Sequence, residues 1–448
     1  MRALKKRITV ELPSEKYLLI NPYSGLADII DSETKNLLDS ESSDATYEVL
    51  RILKSRGHLV EEGEEDDLFE YLKLYAQELH SEACKKNHHL IIPTYHCNLT
   101  CPYCFQKHVY RKRANLHMVM DEQTVDSLFK AILFLDSETE EKCIELYGGE
   151  PLQVRNISII EYILRKGDYN GYSFRAITNG ADFYHFVPLL SEFDVKEVQI
   201  TLDGPRNVHD QRRFRKGGTF DDIVKGIDLA LEHDIPIRIR INVDYENIDS
   251  IPELAQFYIE KGWSSKVKAS ITSVYASECV EYPSVIPLED VPRKIIDLFF
   301  KDERMTVFSD TFKGLNFLLG HLLLGEEFHH RFWACNAHTT LLFYDPLGDI
   351  YACGEAVGHP EHVIGKYIPA LRFNDTYSHW RNRTVFAIPE CTECNLAFFC
   401  GGGCAYKAYT ETHSIYSPYC ENVKFSLNCE VPYLYHVAKQ KEEKEGDL

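Results

Sequence analysis

Cysteine placement constrains this chain more than any other feature. Ten of its fourteen cysteines fall in two stretches, residues 97–104 and 335–420, with short spacings inside each. In a reducing compartment, cysteines grouped in this way are more often metal ligands or catalytic groups than disulfides. Such a compartment is what the rest of the sequence predicts. The start, MRALKKRITVELPSEK, has basic residues but no apolar stretch behind them, so it does not read as a signal peptide. No apolar run reaches the roughly 18–20 residues of a membrane span. The expected location is cytoplasmic, with no membrane partner. A net charge of −20 argues against nucleic acid as the main partner, since phosphate binding needs clustered Lys and Arg. Acidic runs such as EEGEEDD at 61–67 read as solvated surface that keeps the protein soluble.

At 448 residues the chain has room for two or three domains. Residues 1–82 open with two strand-like runs, RITVEL and KYLLINP, the second followed by a turn at Tyr23-Ser24-Gly25. A helix is predicted over DATYEVLRILKSRG, with Ser43 or Asp44 as N-cap and Gly57 as the stop. Another covers 66–80, where Leu68, Leu72, Ala76 and Leu79 recur at helical spacing. Two strands and several helices in so short a stretch suit a winged-helix-like module. From 87 to 275, strand and helix alternate six times, through HHLIIP, CIELYGG, YSFRAITN, EVQITLDG, PIRIRINVD and VKASITSV. Alternation of this kind implies a parallel sheet with right-handed crossovers. Six repeats fall short of the eight that close a full barrel, so the expected fold is α/β with a partial (β/α)6 barrel. A helical connector (276–334) follows, then a loop-rich, cysteine-rich domain (335–430) held by metal, and a C-terminal tail (431–448) whose last ten residues read as disordered.

Cys97, Cys101 and Cys104 stand in CNLTCPYC directly after the first barrel strand. Three thiolates do not complete a tetrahedral zinc site, and no fourth ligand lies at finger spacing. His96 adjoins Cys97, but neighbours in an extended chain point in opposite directions. Three ligands suit a four-iron cluster with one iron open to another molecule, and such a cluster is a one-electron donor. Ligands in parallel α/β folds also sit at the C-terminal ends of strands.

CNLTCPYC resembles the CxxxCxΦC motif of the radical S-adenosylmethionine (SAM) superfamily, with Tyr103 as the aromatic residue. Gly148-Gly149-Glu150-Pro151 is similar to that family's GGEP motif, which holds the amino group of SAM's methionine. Thr178–Gly180 (TNG), the stretch from Thr201 through Asp203 and His209 to Arg213 (TLDGPxxxHDxxR) and Ile241–Val243 (INV) follow in family order on successive strands. Thr178, Thr201 and Asn242 resemble positions lining the SAM pocket. Taken singly, each is an ordinary strand-end turn residue. Their order on the predicted strands carries the resemblance. It implies reductive cleavage of SAM to methionine and a 5′-deoxyadenosyl radical that takes hydrogen from a substrate. It also implies a flavodoxin- or ferredoxin-like electron donor.

The second group reads Cys335-x12-Gly348-x4-Cys353, then Cys391-x2-Cys394-x5-Cys400-x3-Cys404, then Cys420. A zinc ribbon would use paired CxxC, and only one such pair is present. The pattern resembles the seven-cysteine SPASM motif. That resemblance implies an outer auxiliary cluster on Cys391, Cys394, Cys400 and Cys420, and an inner one on Cys335, Cys353 and Cys404. Three [4Fe–4S] clusters with SAM would then be the cofactor set. The NAHTTLLFYD stretch after Cys335 lacks the extra cysteine that some relatives use for the inner cluster. An open iron there could take a substrate thiolate, unless Cys429 swings in as fourth ligand. Cys84, Cys143 and Cys279 read as ordinary thiols.

An N-terminal winged-helix-like module before such a barrel resembles the recognition element of enzymes that mature ribosomal peptides. Its logic is β-augmentation, a leader peptide adding a strand at an edge bordered by RITVEL or KYLLINP. Dimerisation or packing is the ordinary alternative. Together the resemblances imply an oxidoreductase forming a thioether crosslink in a precursor peptide, similar to sactipeptide and ranthipeptide synthases. Carbon–carbon or cyclophane crosslinking is the second possibility, and formylglycine maturation of a sulfatase the third. An electron-transfer scaffold without turnover is the reading from another class. No residue marks itself as the general base.

Overall fold

The computed structural model describes residues 1–40, 46–107, 117–136, 141–274, 282–287, 289–312, 328–420 and 423–446. At the N-terminus, β1 (Arg2–Ala3) pairs with β5 (Leu59–Val60). Between them β2 (Ile8–Leu12), β3 (Lys16–Ile20) and β4 (Ala27–Asp31) form an antiparallel sheet in that order. In β2, burial alternates residue by residue, so Ile8, Val10 and Leu12 pack against Phe399, Leu427 and Val431. The two strand runs read from the sequence are β2 and β3, while β4 and the helix Ser32–Ser40 were not anticipated. One expectation is corrected here. KYLLI (β3) is paired on both sides, so it borders no open edge; the outer strands are β2 and β4. The helix Tyr47–Ser55 is capped by Thr46, whose hydroxyl accepts from Val49 N. Ser43 and Asp44, the caps expected from sequence, lie outside the described residues. Gly57 ends this segment with φ +71°, as its position predicts.

The six alternating strands form as expected: β6 (His88–Ile91), β7 (Cys143–Leu146), β8 (Ser173–Thr178), β9 (Val195–Thr201), β10 (Ile237–Val243) and β11 (Lys268–Ser273) run parallel in that order. Strand β10, IRIRINV, shows why. Ile237, Ile239, Ile241 and Val243 are buried beneath the helices, and Arg238, Arg240 and Asn242 take the other face. The helices Glu122–Leu135, Ile157–Tyr169, Phe220–Glu232 and Ile251–Glu260 cover the outside with Phe129, Ile132, Leu164, Ile223, Ile227 and Leu254. The inner face is left for polar residues.

The sheet does not stop at β6. Strand β12 (Leu341–Tyr344) pairs parallel to it, with Leu341 opposite His88 and Tyr344 opposite Ile91. Antiparallel β13 (Asp349–Tyr351), β14 (Val363–Lys366) and β15 (Arg372–Phe373) complete ten strands. Barrel and cysteine-rich region therefore share one sheet. Gly348, the motif glycine, turns the β12–β13 hairpin with φ +91°.

The C-terminal segment corrects a second expectation. Val423–Gly446 is one helix through residues that composition assigns to a disordered tail. Its first half packs on β2 and against the helix Val291–Lys301, where the Phe300 and Tyr433 rings lie 4.7 Å apart. Of the expected connector, 276–281, 288 and 313–327 lie outside the described residues. Among the described residues, no helix is long and apolar enough to cross a membrane.

Candidate active site

The C-terminal ends of β6 to β11 open on a cavity of about 390 Å³. Cys97, Cys101 and Cys104 line it from the loop after β6. Opposite them stand Gly148, Gly149 and Glu150 after β7, Thr178 at the end of β8, Thr201 on β9 and Asn242 on β10. Burial pushes the Cys97 thiol up to about 12 and that of Cys104 to about 11. Thiols so placed stay protonated unless a metal takes the proton's place, and thiolate is the form a cluster binds. The donor set fits a four-iron cluster. Among the described residues no three or more His, Cys, Asp or Glu side chains close round a single ion. The thiols line the cavity wall instead.

Glu150 is the cavity's buried carboxylate. Its Oε1 accepts from Thr178 Oγ1 at 2.6 Å and Leu152 N at 2.9 Å, and its Oε2 from Asn179 N at 2.5 Å. Even so, burial pushes the carboxyl up to about 7. A buried carboxylate short of a counter-charge is a receptor for an ammonium. Gly149 brings this loop against the cysteine loop: a Cβ there would lie 2.3 Å from the Tyr95 carbonyl oxygen and 2.4 Å from that of His96. Asn179 Nδ2 stands 3.6 Å from Cys97 Sγ, a further tie between the two loops.

Tyr103 enters from the third cysteine's turn. Its hydroxyl donates to Asp203 Oδ2 and accepts from Arg213 Nη1 at 2.9 Å. Asp203 Oδ1 accepts from the Asn242 backbone N at 2.9 Å and from its side-chain Nδ2 at 3.2 Å, while Arg240 Nε holds Asn242 Oδ1 at 3.0 Å. One carboxylate thus orients both Tyr103 and Asn242. His209 and Asp210, from the same sequence motif, do something else. Asp210 Oδ1 accepts from Thr219 N and Phe220 N at the start of a barrel helix, and His209 Nδ1 accepts from Asp203 N.

Cys353, Gly354 and Glu355 line this same cavity from beyond β13. Cys353 is within electrostatic reach of Cys404 and Cys335. A second cavity of about 490 Å³ is lined by Cys391, Cys394, Cys400 and Cys420, with Ile8 and Val10 of β2 and Leu427. Of the seven cysteines, four line this second cavity and Cys353 lines the first. Cys429 lines neither cavity and faces Glu430, Arg293 and Asp297. Cys84 lies beside His80, and Cys143 beside Ser173. Cys279 lies outside the described residues.

Residues 91–258 match the family model described as Radical SAM superfamily. Over that stretch the chain carries a radical SAM domain. Mycofactocin maturase MftC of Mycolicibacterium smegmatis is 25% identical over 327 residues, covering 71% of this chain and 78% of that protein. The cysteine-type anaerobic sulfatase-maturating enzyme of Clostridium novyi is 23% identical over 373 residues, covering 77% and 94%. Among solved structures, anSMEcpe with bound AdoMet superposes with a TM-score of 0.60 at 19% identity, over 79% of this chain and 99% of its own. Streptococcus suis SuiB bound to precursor peptide SuiA gives 0.54 at 17% identity, over 93% and 98%. At those identities the superpositions speak to the fold.

Of the residues expected in a radical SAM pocket, Tyr103, Gly148, Gly149, Glu150, Thr178, Thr201 and Asn242 line the cavity, and Pro151 does not. Thr178 acts through Glu150, which it bonds directly. Sequence reading assigned no role to Tyr147, Gln199, Arg240 or Glu355. The first three are inward-facing or strand-end positions, a face that the alternation in IRIRINV reveals.

Proposed function

We propose that this chain is a cytoplasmic radical SAM oxidoreductase with two auxiliary clusters, forming a thioether between a cysteine sulfur and a carbon of a precursor peptide. The supporting observation is that Cys353 and Glu355 line the cavity that also holds Glu150 and the CNLTCPYC thiols. A substrate in that space would reach both cysteine sets. When bound, the clusters and SAM supply one-electron cleavage of the sulfonium bond, releasing a 5′-deoxyadenosyl radical. Cys97, Cys101 and Cys104 would hold the SAM-binding cluster. Cys391, Cys394, Cys400 and Cys420 would hold the outer auxiliary cluster, and Cys335, Cys353 and Cys404 the inner one. Glu150 would take SAM's ammonium, with Thr178 orienting it, and Asp203 would fix Tyr103 and Asn242 along the pocket.

Three cysteines in the inner set would leave a position for a peptide thiolate, while Cys429 has Glu430, Arg293 and Asp297 as its charged neighbours. The leader would add a strand at the outer edge of β4, which no strand covers among the described residues. A reduced flavodoxin- or ferredoxin-like protein would donate the electron. The name of the Mycolicibacterium relative and the peptide bound to SuiB favour a peptide substrate.

The test is mass spectrometry of a precursor peptide incubated with anaerobically reconstituted enzyme, SAM and reductant. Loss of two hydrogens per link, with the peptide thiols no longer alkylatable, is the expected result. The same loss with thiols still free assigns carbon–carbon crosslinking instead. The Clostridium relative motivates a further arm, a sulfatase peptide, whose conversion to formylglycine would replace the crosslinking reading.

A further inference from the structure

Between Cys400 of the outer set and Cys404 of the inner set the chain passes through three glycines. Gly401, Gly402 and Gly403 have φ of +71°, +84° and +70°. A Cβ on Gly403 would meet the Tyr419 carbonyl oxygen at 1.7 Å, so no side chain fits. This turn directs its carbonyls onto Arg383. Nη2 donates to Gly402 O at 2.8 Å and Ser417 O at 3.1 Å, Nη1 donates to Gly403 O at 2.9 Å, and Nε donates to Ile415 O.

Arg383 is 0% exposed, and among the described residues its hydrogen-bond partners are main-chain carbonyls, with no carboxylate ion pair. A buried guanidinium bonded only to neutral carbonyls has lost its hydration without gaining an anion, which is unfavourable. The groups within electrostatic reach of it that would be negative as thiolates are Cys335 and Cys404 on the inner side and Cys391 and Cys400 on the outer.

We propose that Arg383 is the shared counter-charge of the two auxiliary cysteine sites, holding the triple-glycine turn between them and raising the electron affinity of both together. The proposal rests on the reading that these seven cysteines hold iron–sulfur clusters. A thiolate-bound cluster becomes more negative on reduction, so a fixed cation beside it favours the reduced state. A single cation bonded to the turn between Cys400 and Cys404 acts on both sites. Arg383 is a positioning residue, with no contact to substrate implied.

The test is an anaerobic redox titration of reconstituted full-length holoenzyme, followed by electron paramagnetic resonance, for wild type, Arg383→Met and Arg383→Lys. In Arg383→Met, at the wild-type midpoint, the oxidised-to-reduced ratio of both auxiliary signals should rise about tenfold, equivalent to about 59 mV for one electron. The signal of the CNLTCPYC site should stay in place. Arg383→Lys keeps the charge and should stay near wild type at both. If Arg383→Met loads no auxiliary iron, loading by Arg383→Lys still supports the proposal, and failure of both overturns it. Full iron with unmoved midpoints in Arg383→Met, or a shift at one site only, also overturns it. Wild type that holds no auxiliary iron overturns this proposal and the auxiliary-cluster reading together, so the two failures are distinguishable.

Discussion

Glu150 combines two properties that oppose each other until a cation arrives. Three donors hold its carboxylate oxygens, yet burial keeps the carboxyl near 7. Below that value the group carries a proton that an ammonium must displace. Above it the carboxylate is ready. SAM affinity should therefore rise about tenfold per pH unit on approaching pH 7 from below and level off above it. Equilibrium SAM binding to reconstituted enzyme across this range is the check, and Glu150→Gln should bind weakly with no such slope. Gly149→Ala should lose SAM cleavage through steric contact, since its Cβ would overlap two carbonyl oxygens of the cysteine loop; 5′-deoxyadenosine formation measures this. Glu150 and Gly149 could be picked out by motif. Arg383 could not, because its partners are main-chain carbonyls from separate loops, and no spacing in sequence encodes them. Asp203 lay inside a recognised stretch, but its junction of Tyr103 with Asn242 spans three strand ends and needed coordinates to be seen.

The barrel strands were readable because their apolar positions alternate or run continuously between turn residues, and burial decides both patterns. Strand β4 escaped for the opposite reason. In ADIID only Ile30 is buried, the strand begins and ends in small or charged residues, and Ile29 is 53% exposed. Its partner β3 makes it a strand, and β3 lies a turn away in sequence. The C-terminal helix was misread from composition. Its acidic and basic residues are good helix formers, and Leu427 and Val431 anchor the first turns against β2. Because Ile29 is exposed at an edge that no strand covers among the described residues, Ile29→Lys should leave the fold and SAM cleavage intact. Binding of a labelled leader segment should weaken by roughly 1.5–3 kcal/mol, the burial of one aliphatic side chain. Fluorescence anisotropy measures the affinity, and an unchanged value would locate the leader elsewhere.

Across the whole molecule, the N-terminal sheet, the C-terminal helix and the cysteine-rich region meet at one place. Ile8 and Val10 of β2, Leu427 and the outer cysteine set line the same cavity. Cys391→Ala should lower iron by about four atoms per chain, one cluster's worth. Limited proteolysis should then cut more readily in the N-terminal sheet and the C-terminal helix, since a wall of the cavity they share with the outer cysteine set is no longer held. Iron analysis and digestion of the same sample check both. The inner site has a different support. Cys97 follows β6 and Cys353 follows β13, and the two strands flank β12 in one ladder of backbone hydrogen bonds. Strand pairing admits no small adjustments: a slip of one residue turns every side chain to the opposite face. The span between the two thiol sites is thus a graduated rule with coarse divisions, and a threaded peptide has to find its register on a scale that does not stretch.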